Sequence, residues 1–213
     1  MRKLVVFDLD GTLNRTDLFA VPAHQKALHE SGVTDKTDDF IRSTFGSCSW
    51  DYVKQLLGDC DQETARDYLD RVARYEQEFI QERGRTFDGV PQMLQTLREE
   101  GYLTAVCSNA SARYINMVLR SLGIDSLIGE VQELRPGMSK NETLALLLDR
   151  MKPDAAVMVG DRRFDHEAAK ANGLGFIGCL YGFNPQEMAD ADIQVGTASE
   201  IPGAVHALIG GAE

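Results

Sequence analysis

Leu4-Val5-Val6-Phe7 is an unbroken apolar run that stops at a carboxylate, Asp8, with Asp10, Gly11 and Thr12 just beyond it. An apolar run without alternation reads as a strand buried on both faces, the kind found in parallel sheets. Burying a lone Asp at its end would cost several kcal/mol, so Asp8 must project from the strand's carboxyl edge into a polar site. In doubly wound α/β folds that edge is where ligands bind. Asp10 shares the same tight loop, Gly11 permits a sharp turn with close backbone approach, and Thr12 adds a hydroxyl.

After Leu13 the pattern is helical to about residue 84. Ala65, Tyr68, Leu69, Val72, Tyr75, Phe79 and Ile80 recur at three- and four-residue steps and predict a long amphipathic helix over 62–83. Asp61 is its expected N-cap and Gly84 its stop. Shorter helices are expected over 18–30, around Phe40 and over 50–57. Strands and helices then alternate. Strands are predicted over 102–107, 128–134, 155–159, 174–180 and 193–195, with a last helix over 199–209. Ser139-Lys140-Asn141-Glu142 is a capping box. The fold class is therefore α/β, a doubly wound parallel sheet with right-handed crossovers. Residues 1–14 and 85–213 form this core, and an all-helical domain over 15–84 is inserted into it.

A formal charge of -11 argues against binding nucleic acid polymers, which need clustered Lys and Arg on the phosphates. It also makes an anionic substrate awkward unless a cation reverses the local sign. No apolar run approaches a membrane span and no signal-peptide core precedes the first strand, so the expectation is a cytoplasmic protein, monomer or homodimer. Cys48, Cys60, Cys107 and Cys179 form no CxxC pair, which points away from a zinc or redox motif.

The polar candidates fall past strand ends or at helix starts: Asp8 and Asp10, then Ser108-Asn109, Lys140, and Asp161 with Asp165 four residues on. Carboxylates converging there cannot all stay ionised without compensation, and a hard dication such as Mg²⁺ supplies it. For Asp165 a helix N-cap is the competing reading, compatible with holding a metal-bound water. Lys140, at a capping-box start, lies beside free backbone N–H groups that suit an anion; the plain alternative is a solvated lysine.

Phe7-Asp8-Leu9-Asp10-Gly11-Thr12-Leu13 resembles the first motif of the haloacid dehalogenase-like hydrolases. Ser108 in Val-Cys-Ser-Asn matches their second motif, Lys140 the third, and Asp161 with Asp165 the fourth. The resemblance spans nearly the whole chain and implies a Rossmann-like core with a helical cap. It implies that Asp8 attacks phosphorus to give an aspartyl-phosphate, and that Asp10 protonates the leaving alkoxide and then activates water. It places Mg²⁺ on Asp8, Asp161 and the Asp10 backbone carbonyl, with Asp165 behind, and the substrate phosphate on Ser108, Asn109 and Lys140. Dehalogenating relatives lack the second aspartate, so Asp10 argues for phosphate-ester chemistry.

The expected function is thus a Mg²⁺-dependent phosphatase of a small phosphorylated metabolite, similar to the phosphoglycolate phosphatases. A nucleotide phosphatase and a sugar-phosphate mutase are the alternatives, and a non-enzymatic binder has no use for Asp10. Substrate choice is expected in the cap, where the Arg42–Gly46 break suggests a loop that reaches down. Arg15 and His24 lie near the hinge, His24 on a cap helix face without a catalytic task. Arg162 and Arg163 are expected as a solvated pair, the alternative being that they meet the substrate's distal end.

Overall fold

The computed structural model describes residues 1–46 and 49–211, so Cys48 lies outside the described residues. Its sheet has six parallel strands, β1 (Lys3–Phe7), β2 (Leu103–Cys107), β3 (Glu130–Gln132), β4 (Ala155–Gly160), β5 (Gly175–Cys179) and β6 (Ile193–Val195). Their order is β3-β2-β1-β4-β5-β6. The chain builds outward from β1 in one direction, then returns to β1's other edge and builds outward from β4. The switch point, where ligands bind in such sheets, therefore lies between β1 and β4. Lack of alternation in β1 has a direct cause, because both faces are covered. Leu4 and Val6 pack with Met158, Phe176 and Leu144 on one side. Val5 and Phe7 pack with Val106, Val157 and Leu94 on the other.

Four helices lie between β1 and the rest of the sheet: α1 (Asp17–Glu30), α2 (Asp38–Ser43), α3 (Ser49–Leu57) and α4 (Gln62–Arg83). The expected cap of α4 is present, the Asp61 carboxylate accepting the Thr64 N–H at 2.8 Å. Its stop is Gly84, whose N–H returns to the Ile80 carbonyl. Helices α1 and α4 run against each other, burying Ala20, Ala23 and Ala27 on one and Ala65, Tyr68 and Val72 on the other. The two chain crossings at the base of this insertion pair with each other. Asn14 bridges antiparallel to Thr86, Arg15 N–H donates to the Arg85 carbonyl, and Phe87 N–H donates to the Leu13 carbonyl.

Past the insertion come α5 (Val90–Glu99), α6 (Ala112–Ser121), α7 (Lys140–Met151), α8 (Arg163–Ala171) and α9 (Ile201–Val205). The capping box of α7 forms as expected, Ser139 N–H donating to Glu142 Oε2 at 2.7 Å. Three expectations need correction. The strand over 128–134 shrinks to β3, an edge strand with a partner only in β2. The helix over 199–209 is broken into a 3₁₀ turn, α9 and a wider turn over His206–Gly210, with Pro202 in the first turn of α9. The N-cap of α8 is Arg162, and Asp165 sits three residues inside.

Candidate active site

The Asp8 N–H donates to the Val159 carbonyl at 2.8 Å, so the β1–β4 pairing runs one residue past β1 and sets Asp8 beside the end of β4. Asp161 emerges there, wholly buried, while Asp8 is 4% exposed. Gly11 turns with φ +94°, and a Cβ on it would collide with the Asp161 carboxylate, so the loop needs glycine at this point. One carboxylate oxygen each from Asp8, Asp161 and Asp165 lies within 4.8 Å of the others.

Lys140 opens α7 and sends its ammonium into this cluster, 2.7 Å from Asp8 Oδ1 and 2.5 Å from Asp165 Oδ1. It is 7% exposed, so the solvated alternative is wrong. Nor does it lie idle beside free N–H groups: two carboxylates hold it. Three buried carboxylates against one ammonium leave two negative charges uncompensated. The Asp161 carboxyl is accordingly held well above the usual range, by burial first and then by Asp8 and Asp165. Burial and Asp8 push Asp165 up in the same way. An all-oxygen set with this charge deficit fits a hard dication of the Mg²⁺ type.

Asp10 faces the same cavity but stands outside that cluster among the described residues. Its Oδ1 accepts hydrogen bonds from Thr16 Oγ1 at 2.6 Å, Asn14 Nδ2 at 3.0 Å and the Tyr114 hydroxyl at 3.0 Å. Burial raises its pKa to about 6, with the Thr16 bond opposing and the Asp8 charge adding. Ser108 follows β2, is buried, and accepts the Ala110 N–H. Asn109 donates from Nδ2 to the Gly46 carbonyl at 2.8 Å, tying the core to the α2–α3 break. That break does reach down, and Phe45 meets Phe183 of the core edge-on at 5.5 Å between ring centroids.

Asp8, Asp10, Ser108, Asn109, Lys140 and Asp165 line a cavity of about 350 Å³ roofed by the helical insertion. Arg15 is not part of it and pairs with Asp17 at the hinge. One expectation about other residues fails. Arg162 is not solvated: it is 6% exposed, its Nε bonded to Glu187 at 3.2 Å and its Nη1 buried without a hydrogen-bond partner among the described residues. Arg163 alone stays exposed. His24 is buried in the cavity wall, Nδ1 lying 2.6 Å from the Tyr68 hydroxyl.

Burial lowers the His24 pKa to about 4 from 6.5. The unfolded chain therefore binds a proton that the folded chain refuses, and stability falls as pH drops from 6.5 toward 4. Urea unfolding should show His24→Gln losing about 2 kcal/mol less than the parent between pH 7 and pH 5. Equal losses in the two proteins would refute this.

Sequence reading also passed over Asn14, Thr16, Tyr52, Glu76 and Tyr114. One of these left a legible trace. Glu76 falls on the apolar stripe of α4, four residues from Val72 on one side and Ile80 on the other, a place where a carboxylate is out of keeping. Asn14 and Thr16 are ordinary linker residues until the fold brings them to Asp10.

The profile of the family described as haloacid dehalogenase-like hydrolase matches residues 5–179. The chain is a haloacid dehalogenase-like hydrolase. A phosphoglycolate phosphatase of Haemophilus influenzae is 29% identical over 195 residues, 85% of this chain and 87% of that protein. The "probable phosphatase IndB" of Dickeya dadantii is 31% identical over 221 residues, 98% of this chain and 96% of that one. Among solved structures, a "predicted phosphatase" from Clostridium acetobutylicum superposes with a TM-score of 0.86 at 20% identity, covering 98% of this chain and 100% of that one. Family and relatives together make this hydrolase a phosphatase, built on a Rossmann-like core with a helical cap. Among its described residues no helix is long and apolar enough to cross a membrane.

Proposed function

We propose that this hydrolase is a Mg²⁺-dependent phosphatase of a small phosphate monoester, working through an aspartyl-phosphate on Asp8. The observation that carries the reading is the pairing of two unlike carboxyl groups on one cavity. Asp8 is held against the Lys140 ammonium at 2.7 Å, while burial lifts Asp10 to about 6. A carboxylate fixed beside an ammonium suits the nucleophile, and a carboxyl raised by burial suits the acid.

In the first step an Asp8 oxygen bonds to phosphorus as the ester P–O bond breaks, and Asp10 gives its proton to the departing alkoxide. In the second, Asp10 takes a proton from water, the resulting hydroxide bonds to phosphorus, and Asp8 departs as carboxylate. Inorganic phosphate leaves, and both aspartates return to their starting states. Ser108, Asn109 and Lys140 hold the transferring group's oxygens, and Lys140 keeps the nucleophile oriented. The Asn109 amide is already bonded to Gly46, so its part would be to hold the cap loop over the phosphate as much as to touch it. Asp8 and Asp161 would hold the Mg²⁺ together with the Asp10 backbone carbonyl, and Asp165 would stand behind them. When bound, the ion offsets the charge of the acidic cluster and polarises the phosphoryl group. Relatives named phosphoglycolate phosphatase support a small monoester as substrate.

The purified chain with Mg²⁺ is expected to release phosphate from para-nitrophenyl phosphate. EDTA should abolish that release, and excess Mg²⁺ should restore it. Release that persists through exhaustive chelation would rule out the metal dependence, and no release with Mg²⁺ would rule out the activity.

A further inference from the structure

The mechanism leaves the cap wall of the cavity without a task, yet that wall is not plain. Glu76 of α4 lines the cavity and makes no hydrogen bond or ion pair to any described residue, and the Tyr52 hydroxyl of α3 is likewise unbonded. His24 commits only Nδ1, to Tyr68. If Nδ1 accepts there, Nε2–H is a free donor; if it donates, Nε2 is a free acceptor and Tyr68 keeps its own proton. Aromatic and aliphatic surface from Phe45 and Leu69 lies among these groups. Burial, with Asp10 nearby, lifts the Glu76 carboxyl to about 8, so near neutrality it both donates and accepts.

We propose that Glu76, Tyr52 and His24 form a leaving-group subsite for a polyhydroxylated moiety, the sugar of a sugar phosphate or the ribose of a nucleotide. Hydroxyls on a compact ring need mixed donors and acceptors beside an apolar face, which this wall presents. A leaving group with a second negative charge meets the opposite. The cavity's cations are committed, Lys140 to Asp8 and Asp165 and Arg162 to Glu187. The unpaired Arg162 Nη1 is sealed against Gly46, so among the described residues the wall offers a distal anion no free cation. Size agrees: about 350 Å³ lies in the ~300–1,000 Å³ range of pockets that enclose whole small molecules. A leaving group of a few atoms would leave most of it to water. This inference rests on the phosphatase reading and adds the substrate class to it.

The test is phosphate release with Mg²⁺ by the parent chain and by Tyr52→Phe, Glu76→Leu and Glu76→Gln. The substrates are glucose phosphate, ribose phosphate, adenosine monophosphate, phosphoglycolate and para-nitrophenyl phosphate. The parent should favour a hydroxylated substrate over phosphoglycolate in kcat/KM by tenfold or more. The three hydroxylated compounds separate a free sugar from a nucleoside. Tyr52→Phe and Glu76→Leu should each lose about tenfold more on the hydroxylated substrate than on para-nitrophenyl phosphate, the loss of one well-made hydrogen bond. Glu76→Gln, which keeps a donor and an acceptor, should recover most of the Glu76→Leu loss. Preference for phosphoglycolate, or equal losses on all substrates in variants that unfold at the parent's temperature, would overturn the subsite and leave the phosphatase standing. No release from para-nitrophenyl phosphate would overturn both.

Discussion

Asp8→Asn is expected to abolish phosphate release, by a factor on the order of 10⁴ or more, because an amide oxygen is no nucleophile and the first covalent step has no substitute. The variant should nevertheless fold. Lys140 keeps its contact with Asp165, and removing the Asp8 charge relieves the repulsion that pushes Asp161 and Asp165 up. In chelator, its thermal midpoint should equal or exceed the parent's. Phosphate assay and thermal unfolding in EDTA read the two halves separately. Activity within tenfold of the parent would remove Asp8 from the chemistry, and a collapsed midpoint would mean that its charge serves the fold instead.

Lys140→Met should act on fold and chemistry together. The substitution leaves Asp8 and Asp165 buried with their shared cation gone. Deleting one partner of a buried ion pair typically costs ~3–5 kcal/mol, since the remaining charge has nowhere to go. Urea unfolding in EDTA should show a loss of that size, and Mg²⁺ should stabilise the variant more than it stabilises the parent. Phosphate release with saturating Mg²⁺ should still fall about 10²–10³-fold, the usual effect of removing one preorganised charge contact. Lys140→Arg is not expected to rescue it, because a planar fork does not fit where a compact ammonium sits between two oxygens. Unchanged stability in EDTA would contradict this account of the acidic cluster.

What could be read from the chain alone was local. An apolar run ending at Asp8, a capping box at Lys140 and Val159-Gly160-Asp161 each carry their meaning within a few residues, and the sheet brings them together as expected. Parallel pairing of β1 with β4 then makes neighbours of Asp8 and Asp161. The misread residues depend on partners remote in sequence. Arg162 next to Arg163 looks like a surface pair, and only the approach of Glu187 and the Gly46 loop buries it. His24 does lie on a cap helix, α1, but its partner Tyr68 on α4 is 44 residues away and could not be read locally. Tyr114, at the start of α6, meets Asp10 only across 104 residues of chain.

The strap at the base of the helical roof has one more consequence. Asn14, one of its paired residues, and Thr16 just beyond both hold Asp10 Oδ1, whereas the opposing bond comes from Tyr114 on the sheet side. On the mechanism proposed above, in which Asp10 is the proton donor, any swing of the roof about that strap would drag on it. Admission of substrate and readiness to protonate it would then be mechanically linked, and an enzyme caught ajar would be disarmed as well as wet.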